Sequence, residues 1–225
     1  MTHKIRKFTR GALWMLPVWA ALLFWTTLTE QPDPLTAFAD FAAYVTTSQF
    51  LLSHLLGSIV GAAIGSIGVI GLMLYLQDTK VAGKAIAGMT ATVAGNILMS
   101  STYGVAAFAQ PAMGRLFQAG QQNAIDFYNQ VYATPLFIAA LGGLLLFLLG
   151  GVFVGVAIAG SGRLPRWSGW VYAVMSIGFA LGLFFSPVVQ NVTSALLFAA
   201  TVAVAWSASQ GEARQSIEEG IVPEM

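Results

Sequence analysis

The chain has 225 residues, of which 57% are hydrophobic and 8% charged, and its net charge is +1. A soluble domain carries about 25% charged residues, and one core of this size cannot hide so much apolar surface from water. Composition thus excludes an ordinary water-soluble globule, and the absence of cysteine excludes disulfides, thiolate metal sites and a cysteine nucleophile.

A membrane helix needs roughly 20 mostly apolar residues. Six stretches qualify, at residues 11–29, 48–76, 84–109, 135–159, 168–186 and 190–208. The expected fold is therefore all-α, a polytopic transmembrane helical bundle in a single domain over residues 1–208. Residues 209–225 are expected to form a short, acidic, mobile cytoplasmic tail.

The first stretch follows Lys4, Arg6, Lys7 and Arg10. A basic start, an apolar run and the small residues of Ala37-Phe38-Ala39 imitate a secretory signal. The apolar run is long for a signal core, typically about 7–15 residues, and Ala39 lies far beyond it. An uncleaved span is expected. Residues 30–47 and 110–134 are too long for simple turns, and their apolar residues recur at helical spacing. Short interfacial helices, or a cap over one end of the bundle, are expected there.

The second stretch carries Gly57, Gly61 and Gly65, spaced by four and so on one helix face. Lipid tails are as apolar as leucine, so helices associate through close backbone contact at small residues. A packing seam is expected on this face, with Gly151 and Gly155 forming another on the fourth stretch. His54 precedes Gly57 by three residues and shares its face. An ionisable residue inside a membrane is a functional candidate by default. Ligand hydrogen bonding, a proton relay and axial ligation of a tetrapyrrole are open to it, as is a neutral imidazole bonded to a nearby serine or backbone carbonyl. The third stretch places Asn96, Ser100 and Tyr103 on one polar stripe at a depth comparable to His54. A small polar pocket between the second and third helices is one reading; plain interhelical hydrogen bonding, worth about 0.6 kcal/mol on average, is the other.

No carboxylate lies inside a stretch, and no lysine lies near the middle of one. No phosphate loop or zinc-protease motif occurs. His3 and His54 are too few for the three or four protein ligands of a usual zinc site, so no metal is expected.

The fourth and fifth stretches are joined by Ser161-Gly162-Arg163-Leu164-Pro165-Arg166-Trp167. Gly162 can end one helix and Pro165 can open the next. Ser186-Pro187 is the break between the fifth and sixth, read as a tight turn. Alternation of six helices puts nine of the ten lysines and arginines on one side, Arg163 and Arg166 among them, with only Arg115 opposite. Such residues collect in the cytoplasm, so both termini are expected inside.

The Ser161–Trp167 turn between two glycine- and leucine-rich helices resembles a broad group of uncharacterised bacterial membrane proteins with six or seven helices. The likeness spans residues 135–208 and extends weakly to Ser53-His54-Leu55-Leu56-Gly57. It implies a bacterial cell (inner) membrane and a six-helix layout, and it carries no activity. The expected function is a non-enzymatic module that binds a hydrophobic or lipid-like ligand through His54, Asn96, Ser100 and Tyr103, or an accessory subunit. A channel or transporter for a small uncharged solute is the alternative, and an intramembrane enzyme using His54 a third. Expected partners are the lipid bilayer, another membrane protein or a second copy of the chain, and not nucleic acid.

Overall fold

Long apolar runs can satisfy their backbone in hydrocarbon only within helices or closed barrels, and this chain takes the helical solution. The computed structural model describes residues 3–218, and no strand occurs among them. The elements are α1 (His3–Thr26), α2 (Phe38–Val45), a continuous rod of α3 (Ser48–Leu52), a π-helical stretch (Ser53–Val60) and α4 (Gly61–Leu76), then α5 (Ala82–Gln118), α6 (Asn123–Val131), α7 (Thr134–Gly160), α8 (Arg166–Phe185) and α9 (Pro187–Glu218). Four segments, Lys4–Thr26, Ser48–Leu76, Thr134–Gly160 and Pro187–Gly211, are long and apolar enough to cross a membrane.

Six helices form a closed ring in the order α1, α4, α5, α7, α8, α9 and back to α1. Each neighbour runs antiparallel to the last, and small residues set the approach. Along α4, Gly61 faces Leu22, Gly65 the Trp19 ring, Gly68 Leu16 and Gly71 Ala12 of α1. A Cβ built on Gly65 would lie 2.9 Å from the indole, and one on Gly71 2.5 Å from the Ala12 methyl. Gly88 of α5 meets Val154 of α7, and Gly95 meets Phe147. Gly151 abuts Ser176 of α8, and Gly155 abuts Gly169 and Ala173. Gly178 and Gly182 of α8 meet Thr193 and Gln190 of α9. Close backbone approach is thus spread over four interfaces rather than concentrated on the Gly57–Gly65 face. Trp14 of α1 closes the ring by donating its indole N–H to Ser209 Oγ of α9 at 3.3 Å.

One apolar core takes residues from all six ring helices. Towards the end holding the α4–α5 and α7–α8 turns, here the base, it is filled by Leu13, Leu16, Leu72, Leu76, Ile158 and Tyr172, each 2% exposed or less. The outer surface of the ring is apolar too: Ile97, Phe137 and Phe184 are 64–68% exposed. An apolar sheath of that extent matches hydrocarbon rather than water.

Several boundaries differ from the sequence expectation. The third helix does not stop near Ala109; α5 continues through Pro111 to Gln118. At about 1.5 Å per residue its 37 residues span about 55 Å, well beyond a hydrocarbon layer of about 30 Å. The protruding end is held by α2: Gly114 packs against the Ala42 carbonyl, and Gln118 Nε2 donates to Ala42 O and to Thr46 Oγ1, both at 3.2 Å. The last helix also runs past residue 208, since α9 continues to Glu218; residues 219–225 of the expected tail lie outside the described range. The expected short helices in 30–47 and 110–134 correspond to α2 and α6, which form a cap on the end opposite the base. Phe41, Val45, Phe50 and Ala106 make its core, with Phe38, Tyr44 and Tyr128 packed around them.

The two turns singled out in the sequence have clear local causes. Ser161 Oγ donates to Ile158 O and accepts from the amides of Arg163 and Leu164 at 3.1 and 3.2 Å. Gly162 there takes φ +71°, a left-handed conformation that costs a side-chain-bearing residue about 1–2 kcal/mol. Arg163 donates to the Tyr75 carbonyl at 3.0 Å, capping the end of α4. Between α8 and α9 a single extended residue, Ser186, makes the turn, and Pro187 opens α9.

Gly155→Leu should force α7 and α8 apart and lower stability by about 1–3 kcal/mol, the usual cost of overpacking. Gly104→Leu, where nothing lies within 4 Å of an added Cβ, should leave stability unchanged. Thermal unfolding of the detergent-solubilised variants, followed by size-exclusion recovery, compares the two.

Candidate functional site

Where the second helix leaves the cap, its backbone widens. The amide of Gly61 reaches back to the carbonyl of Leu56, five residues earlier, at the end of the π-helical stretch. The widening starts where the Phe50 carbonyl receives two side-chain donors: Ser53 Oγ–H at 2.9 Å and His54 Nδ1 at 3.0 Å. Side chains that turn back onto a helix carbonyl compete with the backbone ladder. Such π-turns are frequent at functional sites. His54 also lies against the Phe50 ring, with centroids 4.1 Å apart.

Asn96, on α5, is buried and bridges to α4. Its Nδ2 donates to Ala62 O and to Ser66 Oγ, both at 3.0 Å. Ser66 has already given its own proton to Ala62 O at 2.8 Å. The interhelical hydrogen bond and the pocket are therefore not alternatives here, because the same side chain takes part in both.

The pocket is a cavity of about 250 Å³ at the cap end of the ring. His54, Asn96 and Tyr103 all line it, together with Gly57 and Ser58 of the π-helical stretch. Ser100, the other member of the expected stripe, does not. Gly61 and Gly65 face α1, and Gly151 and Gly155 face α8, away from the cavity wall. The floor is apolar, made by Trp19, Leu23, Met99, Phe147 and Phe179. Trp19 contacts both Phe147 and Tyr172, at centroid distances of 6.3 and 6.4 Å, and so joins the floor to the packed base. No carboxylate, lysine or arginine lines the cavity, and no cluster of metal-ligating side chains occurs among the described residues.

The rest of the wall escaped the sequence reading. Thr26, Thr27 and Thr29 at the end of α1, Gln31 and Tyr44 beside the cap, and Gln190 at the start of α9 surround the upper part. The threonine run at the close of an apolar stretch was the available signal. Tyr44 belongs to both site and cap: its hydroxyl donates to Thr29 Oγ1 at 3.1 Å, and its ring meets Phe50 edge-on.

Tyr128 of α6 completes the cap beside this mouth. Its ring packs edge-on against Phe38 and Phe41 and stacks on Tyr132 with centroids 4.5 Å apart. Burial raises its pKa, and the Asp33 carboxylate raises it further. Burial also pushes the Tyr132 hydroxyl up.

Comparison of the chain with protein-family models, with curated proteins and with solved structures gave no match.

Because the folded cap holds the Tyr128 proton more tightly than the unfolded chain does, this contribution to cap stability is complete below the ordinary tyrosine pKa of about 10. It falls as pH rises from there through the raised folded value. Asp33→Asn removes the neighbouring anion and should move the Tyr128 titration down towards the ordinary value. Phenolate absorbance, taken as the difference from Tyr128→Phe, measures the shift.

Proposed function

We propose that this chain is a six-span protein of a bacterial cell membrane, with both termini in the cytoplasm, that binds a small, uncharged, hydrophobic or lipid-like ligand in the cavity beneath its outer cap. The observation that carries the binding function is the one-ended cavity. Polar groups ring its upper part, aromatic and aliphatic side chains floor it, and the base below is filled by fully buried residues. Ligand pockets have this make-up, mostly apolar with a few placed polar groups. A conduit needs a continuous polar path, and the side chains from Leu13 to Tyr172 that fill the base offer none.

The six-span threading draws on the ring itself. α5 and α8 are antiparallel members of it, wedged between the segments that are apolar enough to cross alone. Lys80, Lys84, Arg163 and Arg166 fall at the base, and Glu30, Asp33, Asp40 and Asp126 in the cap segments. Basic residues gather on the cytoplasmic side, which supports a base facing inward and a cap facing outward. A non-enzymatic role fits a wall with no acid, no lysine and no partner acid for His54.

Native mass spectrometry of the gently extracted protein should show a bound small molecule. Leu144→Trp, which fills the cavity, should lose it, while Ile97→Trp on the lipid-facing surface should keep it. An unchanged bound mass in the filled variant would remove the cavity from consideration.

The absence of native cysteine makes threading testable by single substitutions. A membrane-impermeant maleimide added to intact spheroplasts should label Gln121→Cys at once and Asp78→Cys only after lysis. The reverse pattern would invert the protein.

A further inference from the structure

The hydrogen bonds around the cavity settle which atoms its wall has left to offer. A carbonyl oxygen can only accept, so the contact between His54 Nδ1 and Phe50 O at 3.0 Å places the ring proton on Nδ1. In the neutral imidazole Nε2 is then an acceptor. Asn96 is fixed in the same way. Ala62 O can only accept, and Ser66 Oγ has already donated its proton, so the amide nitrogen of Asn96 faces both and its two hydrogens are taken. Its Oδ1 remains as an unpartnered acceptor on a residue that lines the cavity.

The hydroxyls repeat the pattern. Ser53 donates to Phe50 O, Thr26 to Leu23 O at 2.7 Å, Thr27 to Phe24 O at 2.7 Å, and Tyr44 to Thr29 Oγ1. Each turns a lone pair, not a proton, to whatever enters. The groups with protons still to give are the hydroxyls of Thr29, Ser58 and Tyr103, the amides of Gln31 and Gln190 and the indole N–H of Trp19, and all but the last can accept as well. The wall is thus biased towards acceptors, and His54 and Asn96 offer nothing else.

We infer that the cavity selects a ligand by a hydrogen-bond donor, an uncharged hydroxyl group on an aromatic or aliphatic body, with His54 Nε2 or Asn96 Oδ1 as the receiving atom. The inference rests on the binding function proposed above. An ammonium donor is disfavoured because no carboxylate in the wall would balance it, and an unpaired charge in a low-dielectric site is costly. Ketones, ethers and esters of the same shape bring only lone pairs and would leave these two acceptors unpaired. The ring side chains of Trp19, Phe147 and Phe179 suit the apolar body of such a ligand.

The test uses the full chain in phosphatidylcholine nanodiscs and a matched pair of probes, para-propylphenol and its methyl ether para-propylanisole, which has no proton to donate. Saturation-transfer NMR reads protein-dependent binding in excess of empty nanodiscs. The phenol should bind about tenfold more tightly than the ether, and His54→Phe, which keeps a ring and loses the acceptor, should shrink that preference several-fold. If His54→Phe does not fold, the wild-type ratio alone decides. Equal or tighter binding of the ether, abolished by Leu144→Trp, would overturn the donor selection and leave cavity binding standing. Absence of protein-dependent binding for both probes would overturn the two together.

Discussion

Hydrocarbon offers no partner for a hydrogen bond that the chain leaves unmade, and most of this structure follows from that. The backbone answers by forming helices nearly throughout. The side chains answer locally: serine and threonine hydroxyls on every ring helix but α7 return their protons to carbonyls three or four residues back, as Thr9, Ser66, Ser101, Ser176, Thr193 and Thr201 do. A hydroxyl treated in this way no longer resists the membrane, but it has also lost its donor. With polar adhesion mostly consumed within single helices, attraction between helices falls to packing. That is why glycine lies at interface after interface around the ring. The Asn96 bridge from α5 to α4 is the main polar exception inside the bundle.

The asymmetry between the two ends has a sequence origin in side-chain volume and in one local defect. At the base, leucines of α1 and α4 meet Ile158 and Tyr172 and leave no space. At the cap end, the rod presents Ser53, Gly57 and Ser58, and the π-helical turn widens its backbone instead of presenting bulk. The ring cannot collapse onto the missing volume there, because Trp19, Phe147 and Phe179 hold the helices apart just below. A cavity with a floor results.

The parts of this molecule that depend on one-dimensional periodicity were legible in the sequence. The helical segments, the α2 and α6 caps, the turn at Ser161 and the break at Pro187 all follow from apolar length, proline and glycine, and Asn96, Tyr103 and His54 share a cavity. What escaped depends on competition between tertiary and local forces. The third stretch reads as ending near Ala109, yet α5 continues through Pro111, with Gly114 and Gln118 packed against α2. The polar sequence after Ala208 reads as a tail, yet α9 continues. Ser100 fits the stripe by spacing and still misses the cavity, since helical spacing defines a face but not the edge of a void. The π-helical turn had no sequence signature apart from Ser53 and His54 side by side, and that pair signals it only once both are seen to share the Phe50 carbonyl.

That shared carbonyl also ties the cap to the site. Tyr44 of the cap holds Thr29 through its hydroxyl and Phe50 through its ring. Phe50 supports His54 twice, by the ring packed at a tilt against the imidazole and by the carbonyl that fixes its tautomer. The orientation of the imidazole, and with it the direction of the Nε2 lone pair, therefore depends on Phe50, which Tyr44 of the cap supports. A cap that served only to shield helix ends would not need this connection. A single side chain, Phe50, thus lies between Tyr44 at the mouth of the cavity and the acceptor of His54 within it.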